Sequence, residues 1–445
     1  IAYNYDIFGN IGTKSIRGDT SNFTDDRSEV FSYVQAVDNE KWIIKIKNYR
    51  LFNYNLTKIM ESFYSYDGLD YTEAPTKGSV TKREDWLDTG GNNPIYLFSY
   101  DSFGNLVNET DANNHSTQYI YGLRDSTNTF ADRIVNAMGH ITDYNYSLAT
   151  GSLIWEKDSN GNFKNYTYDV FGRITKDIFP YDDQVYPTKE YEYSFDGISP
   201  ERIKISQREI NSTSNTFNEY SFYDGFGRII QIKSESENSS KYVIKDIYYN
   251  EFGLIGNQSN PYSSNNSQDY TFPNQTNNLI NYSYDPVERI TKINMPDSSS
   301  INLIYNNWNT SVYDENGNRK DYQKDAFEQV VVIGEYNFDG IYITKYSYNI
   351  AGKLINIQDS LENMFNFSYD SLGRKISMQD PDLGTWNYTY DNVGNMISQK
   401  DNREITTSFS YDNINRIIIK NSSNENITYS YDQNRNNTLS GINND

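Results

Sequence analysis

The chain has no cysteine, only two histidines, ten prolines and no long apolar run. Without cysteine there are no disulfides, no thiolate zinc sites and no cysteine nucleophile. His115 and His140 are far apart in sequence, beside Asn114 and Gly139. A catalytic triad or a histidine metal cluster needs more partners than that, so both read as turn residues. No stretch approaches the ~18 consecutive apolar residues that span a bilayer. Blocks of five or more like charges are missing too, so the net charge of −21 is spread along the chain. An acidic surface of this kind excludes nucleic acid and anionic lipid as partners. The N-terminus, Ile1-Ala-Tyr-Asn-Tyr5, has no initiator Met or leader pattern and begins inside a repeat, which predicts a fragment of something longer.

What the sequence has in abundance is aromatic side chain: 42 Tyr and 22 Phe, against a hydrophobic content of 36%. Tyr therefore replaces Leu and Val as the main buried group. Its ring covers apolar surface while its hydroxyl seeks a partner. These rings recur with a period. Tyr369-Asp370-Ser-Leu-Gly373-Arg374 is followed by Tyr390-Asp391-Asn-Val-Gly394, Tyr411-Asp412-Asn-Ile-Asn415-Arg416 and Tyr431-Asp432, in steps of 21, 21 and 20 residues. A fixed period in this range marks one supersecondary unit stacked on copies of itself. Within a unit, Trp386-Asn-Tyr388-Thr-Tyr390 alternates aromatic with short polar residues, the pattern of a half-buried strand. A turn and a second apolar run follow, so the unit is a β-hairpin.

The same anchor recurs upstream, at Tyr5-Asp6-Ile-Phe-Gly9, Tyr100-Asp101-Ser-Phe-Gly104, Tyr168-Asp169-Val-Phe-Gly172-Arg173, Tyr223-Asp224-Gly-Phe-Gly227-Arg228 and Tyr284-Asp285-Pro-Val-Glu-Arg289. Residues 1–445 read as a single array, irregular over 11–95, with a loop excursion over 256–281 and its most regular part over 345–435. Thr72 to Pro94 reads as a long surface loop. Asp after the strand is placed to accept turn N–H groups, and Gly three residues later to supply a positive φ. The arginines are expected to pair with Asp of the same or a neighbouring turn, and Tyr rings of successive hairpins to stack across strands, at ~0.2–1 kcal/mol per pair.

This YD-x-x-G-[RN] pattern resembles the RHS/YD-repeat family, which includes shell subunits of toxin complexes, polymorphic RHS toxins and teneurin-like barrels. The resemblance covers most of 96–435 and, more weakly, 1–70. It implies an all-β fold in which tandem hairpins form one long sheet that coils into a barrel or cocoon-like shell. Some 30–40 strands at ~4.8 Å spacing make a ribbon of roughly 150–190 Å, too short to seal a large chamber alone. The family's self-cleaving core is not matched, since Asp285-Pro286 and Asp380-Pro381 lie inside ordinary repeats. No protease and no toxin is carried over.

Other candidate chemistry is weak. Asp158-x-Asn160-x-Asn162 closing on Asp169, and Asp314-x-Asn316-x-Asn318 closing on Asp325, imitate calcium loops. Phe163 and Arg319 replace the Gly such a loop needs at its sixth place, and hairpin turns explain the same residues. Asp25-Asp26 and Asp182-Asp183 read as solvated loop charges. Eighteen N-x-[ST] sequons begin at Asn22, Asn55, Asn108, Asn114, Asn145, Asn165, Asn211, Asn238, Asn257, Asn265, Asn274, Asn281, Asn309, Asn366, Asn387, Asn421, Asn426 and Asn436. Asn and Thr of the strand pattern share the face opposite the Tyr rings, so these are candidate glycan sites on an exported protein.

The expectation is a non-enzymatic, extracellular or surface-exposed structural protein serving encapsulation or adhesion, without cofactor or metal. Its partners would be copies of itself or further RHS repeats, with glycans as a further possibility, and it would insert in no membrane. Two alternatives remain open: a protomer of a surface filament or sheath, and a carrier shell for a toxin or effector domain outside these residues.

Overall fold

The computed structural model describes residues 1–18, 23–37, 42–197, 200–211, 213–237, 241–265, 268–273, 278–423, 425–433 and 435–444. Among them are 37 strands, joined in one hydrogen-bonded sheet, and a short 3-10 helix, Phe23–Asp25. No helix of the described residues is long and apolar enough to cross a membrane.

Strand Gly384–Tyr390 shows how the sequence writes the sheet. Trp386, Tyr388 and Tyr390 are half-buried on one face, while Thr385, Asn387 and Thr389 are exposed on the other. Its neighbours on both sides are antiparallel: Met378 lies opposite Trp386, and Gln399 opposite Tyr388. The register slips by one residue between Thr389 and Tyr390. The same slip precedes Tyr168, Tyr223, Tyr249, Tyr284, Tyr348, Tyr369, Tyr411 and Tyr431. A bulge at each motif Tyr adds right-handed twist at a fixed place in every hairpin.

Two stretches that read as loops contain strands. Val80–Asp85 lies inside the Thr72–Pro94 segment and pairs with both Lys58–Tyr66 and Ile95–Tyr100. The 256–281 segment holds Tyr262–Asn265, together with parts of Ile255–Ser259 and Leu279–Tyr284. Strand Lys241–Tyr249 is long enough to serve two partners, with Ile247 opposite Gln258 and Ile244 opposite Tyr262. Both stretches are polar and pair through the backbone, so their apolar periodicity is weak.

The chain divides into two compact units. The first comprises Ile1–Thr142, Tyr322–Gly334 and Ile341–Asp445, and the second Asp143–Asp321 with Glu335–Gly340. The second contains a local core of Tyr220, Phe222, Tyr242 and Ile244, against which Ile230, Tyr262 and Tyr270 pack. Beside it Gln231, Lys233 and Asp246 are fully buried. The Gln231 amide donates to Asp246 Oδ1 at 2.6 Å, and the Tyr262 hydroxyl to Asp246 Oδ2 at 2.8 Å. The Lys233 amine donates to Thr271 Oγ1 at 2.6 Å and to the Asp269 carbonyl. Gln231, Lys233 and Asp246 thus each find a partner, as burial demands. Burial presses the Lys233 amine down and the Asp246 carboxyl up.

Candidate functional site

The structure's recurring device is the turn after the motif Tyr. In the hairpin at 370, the Gly373 N–H donates to the Asp370 carbonyl at 2.9 Å and the Asp370 N–H to the Arg374 carbonyl at 3.0 Å. Gly373 has φ +77°. This is a type I turn closed by a left-handed residue, a common hairpin reversal. The Asp370 side chain completes it: Oδ1 accepts the Leu372 N–H at 3.0 Å and the Arg374 N–H at 2.9 Å. Turns at Asp6, Asp101, Asp169, Asp224, Asp285 and Asp412 repeat that pair of bonds. Asp391 differs slightly, taking the N–H groups of Gly394 and Asn395. The left-handed place belongs to Gly9, Gly104, Gly172, Gly227 and Gly394, but also to Glu288 and Asn415, so glycine is preferred there without being required.

Arg and Tyr lock one hairpin to the next. Nε of Arg173, Arg228, Arg289, Arg374 and Arg416 donates to the Asp of its own turn at 2.6–2.8 Å. A neighbouring-turn pair forms at Arg416, whose Nη2 reaches Asp432 Oδ2 at 2.6 Å. Burial works to raise the carboxyls of Asp169, Asp224 and Asp285, but the turn N–H groups and the arginine outweigh it and hold them below the usual range. The guanidinium then covers the ring of the following hairpin: Arg173 lies 4.3 Å from the Tyr193 centroid, Arg228 4.4 Å from Tyr249 and Arg416 4.3 Å from Tyr431. Ring contacts across strands were expected and some form, as between Tyr220 and Tyr242 at 5.8 Å, but at these motif turns it is the Arg of one turn that covers the ring of the next hairpin.

Several motif tyrosines also carry a bond that composition did not reveal. The hydroxyls of Tyr168, Tyr284, Tyr369, Tyr390, Tyr411 and Tyr431 donate to the carbonyls of Leu153, Ile255, Leu354, Lys375, Met396 and Ile417, at 2.7–2.9 Å. The acceptor sits where the return strand of the preceding hairpin begins. Burial raises the Tyr369 and Tyr390 hydroxyls above their ordinary value.

Within the first unit, turns far apart in sequence meet tip to tip. Ser371 and Asp88 exchange two bonds, and the Ser371 hydroxyl also donates to the Trp86 carbonyl at 2.6 Å. The Asn113 amide reaches Asp391 Oδ2 at 2.9 Å, and the Asn392 amide the Ala112 carbonyl at 3.3 Å. Arg27 donates to the Ile350 carbonyl at 2.9 Å and covers the Phe327 ring at 4.6 Å. His140, expected to be a plain turn residue, joins this seam: Nε2 lies 3.4 Å from Asp432 Oδ2, and Nδ1 lies 2.8 Å from Asn437 Oδ1. Asp432 is held at about 2, by Arg416 first, against burial, with help from the Asn437 N–H and the His140 ring. His115 stays with its own turn, 3.4 Å from Asp111.

The calcium-loop imitators are turns of the common kind. Asp158 Oδ1 accepts the N–H groups of Asn160 and Asn162, and the Asn162 side-chain amide donates to Oδ2; Asp314 does the same with Asn316 and Asn318. Asp169 and Asp325 belong to separate turns. Among the described residues no group of three or more His, Cys, Asp or Glu is gathered as a metal site would need. Asp182 and Asp183 organise a loop, accepting from Thr188 and from the Val185 and Tyr186 N–H groups, and Asp26 accepts from the Gly18 N–H. Asp25 lines a hollow of about 640 Å³ in the first unit together with Arg27, Lys324, Phe327 and Tyr348. Of the sequon asparagines, Asn55, Asn114, Asn211, Asn265, Asn309, Asn387, Asn421 and Asn426 are exposed. Asn108, Asn145, Asn165, Asn257, Asn281, Asn366 and Asn436 are half-buried, while Asn22, Asn238 and Asn274 lie outside the described residues.

No protein-family model matches the chain, and no curated protein matches it. Solved structures do. TcdB2-TccC3 superposes with a TM-score of 0.78 at 13% identity, covering 96% of this chain and 30% of that one. TcdB2-TccC3-TEV gives 0.80 at 12%, covering 99% and 33%. The fold is that of the Tc toxin chains. The Photorhabdus luminescens Tc holotoxin pore carrying TccC3-D651A agrees, at 0.78 and 12%, covering 97% of this chain and 32% of that one. The chain therefore spans about a third of the length of the Tc toxin chains it matches, and at such identity the likeness is one of fold.

Proposed function

We propose that the chain is a stretch of wall in an RHS-type carrier shell, built to enclose a toxin or effector segment that lies outside these residues. The observation that carries this reading is the seam of turn tips that meet within the first unit. There Ser371, Asp391 and Asp432 bind Asp88, Asn113 and His140. A sheet whose turn edges are fastened to one another leaves no gap at those edges, which a container needs and an open adhesive ribbon does not. Similarity to Tc toxin chains over nearly the whole length supports the same reading. In it the array is exported and structural: Asp, Arg and Tyr spend their polar groups on turns and latches and none on chemistry. Electron microscopy of the complex isolated from producing cells is the test. The expected result is a hollow particle with these hairpins in its wall and a non-repeat polypeptide inside. An open fibre, or a particle with no interior volume, overturns it.

A further inference from the structure

In strand Gly384–Tyr390 the face opposite the motif tyrosine carries Thr385, Asn387 and Thr389, all exposed. One patch of the second unit inverts this. Register puts Phe222 opposite Gln231, Gln231 opposite Asp246, and Lys233 opposite Ile244, so strand alternation gives these side chains one common face. The same alternation sends the motif residues Tyr223 and Tyr249 to the other face. Phe222 is nonetheless 2% exposed, and Gln231, Lys233 and Ile244 are 0% exposed.

Their cover is the chain's own segment 268–273, which forms no strand. It is held as a bound peptide is held. The Gln231 side chain donates to the Thr271 carbonyl at 2.8 Å and accepts the Thr271 N–H at 3.1 Å, the pair of bonds a neighbouring strand would supply. Tyr270 packs edge-on against Phe222, with ring centroids 5.7 Å apart. The Lys233 amine donates to the Thr271 hydroxyl and to the Asp269 carbonyl. Arg202 Nη1 donates to the Gln268 carbonyl at 3.4 Å and lies 3.9 Å from the Asp269 carboxylate. Main chain, an acid, an aromatic ring and a hydroxyl are thus each read by a separate group of the floor.

We propose that this floor is a binding site for an extended peptide of the form acid-aromatic-Thr or acid-aromatic-Ser, and that residues 268–273 fill it as a displaceable internal ligand. A permanent cover over an apolar patch is best served by an apolar floor. Here the floor holds a lysine and an aspartate, whose charged forms lose hydration while the segment is down and regain it when the segment lifts. That loss weakens the closed state against an open one. The site lies within the second unit and does not depend on the wall reading.

A fluorescein-tagged peptide of sequence Gln-Asp-Tyr-Thr-Phe-Pro tests this on the full chain. Tyr270→Ser with Thr271→Gly strips the segment of its ring and hydroxyl and leaves the floor intact. Fluorescence anisotropy should show the peptide binding this variant about tenfold more tightly than the unaltered chain. Lys233→Met added to the variant should remove that gain, and a peptide of scrambled order should show none. Absence of saturable binding, equal binding to the unaltered chain, or equal binding of the scrambled peptide overturns the site. Amide exchange on the unaltered chain needs no substitution. The Thr271 N–H should exchange about tenfold faster than amides of strands Ile229–Glu235 and Lys241–Tyr249, because the segment lifts while the sheet stays closed. Exchange of Thr271 only together with those strands would make the segment a fixed part of the core and overturns the inference.

Discussion

Asp88 and Ser371 hold each other reciprocally: the Asp88 N–H donates to Ser371 Oγ at 3.0 Å, and the Ser371 N–H donates to Asp88 Oδ1 at 2.8 Å. Neither residue is a neighbour of the other in any strand pair. The contact therefore reports how the edges of the first unit meet, independently of the sheet's own hydrogen bonds. Ser371→Ala removes the acceptor for the Asp88 N–H and the donor to the Trp86 carbonyl, at a cost of about 0.5–1.5 kcal/mol. Amide exchange at Asp88 should accelerate while exchange inside strand Lys375–Asp380 does not. Equal acceleration at both would mean that the seam is not a separate element.

The tyrosine latch predicts a contrast between two hydroxyls. Tyr369→Phe keeps the ring and loses the 2.8 Å bond to the Leu354 carbonyl, so urea denaturation should show a loss of about 0.5–1.5 kcal/mol. Tyr388 shares its strand face with the motif Tyr390 but latches no carbonyl, and Tyr388→Phe should change stability by less than half as much. Similar losses from both would show that the rings, not the hydroxyls, join the hairpins.

Backbone handedness gives the third prediction. Glu404 has φ +67° in the turn at Asp401. Left-handed geometry costs a side-chain-bearing residue about 1–2 kcal/mol, partly offset by the extra unfolded-state freedom of glycine, about 0.5–1 kcal/mol. Glu404→Gly should raise the thermal midpoint, with a net gain of about 0.5–1 kcal/mol. Gly172→Ala should do the opposite by about 1 kcal/mol. At Gly172 the φ is +77° and an added Cβ meets nothing within 4 Å, so the cost is conformational alone.

Asp67 makes the array acid-sensitive at one loop. Burial alone would raise its carboxyl, but the N–H groups of Gly78, Lys77, Ser79 and Thr76 outweigh it and hold the group at about 2. A folded-state value below the unfolded one of about 3.9 means the stabilisation is complete above that pH. It is lost as pH falls through about 2. Limited proteolysis with an acid protease should cut the 68–79 segment near pH 2 before the strands open. Asp67→Asn should produce the same cut near pH 4. Indifference of the loop to both changes would count against the carboxylate as its organiser.

The hairpin unit was legible because its determinants are local: Tyr, Asp, Gly and Arg of one turn act on each other within a few residues. Strand alternation was legible for the same reason, and Thr385 to Tyr390 follow it residue by residue. The tyrosine acceptors were less so, although Tyr369 and Leu354 recur at the same offset as Tyr390 and Lys375, a spacing that could have suggested the latch. The seam left no signal at all. Ser371, Asn113 and His140 are ordinary turn residues in composition, and what makes them contacts is the path of residues far from them. The strand Tyr262–Asn265 went unseen because Ser-Ser-Asn pairs through its backbone and offers no apolar alternation.

The bulge before each motif Tyr and the self-contained Asp turn give every hairpin the same interior, whatever its neighbours do. Loops between hairpins can therefore lengthen freely, but whole hairpins are counted. In the first unit, Asp88, Asn113 and His140 meet Ser371, Asp391 and Asp432 in the same order. Gain or loss of a single hairpin on one side would offset every later meeting by one tooth, as in a mismatched zip. Such a chain can tolerate drift in nearly all of its residues while its number of hairpins stays fixed.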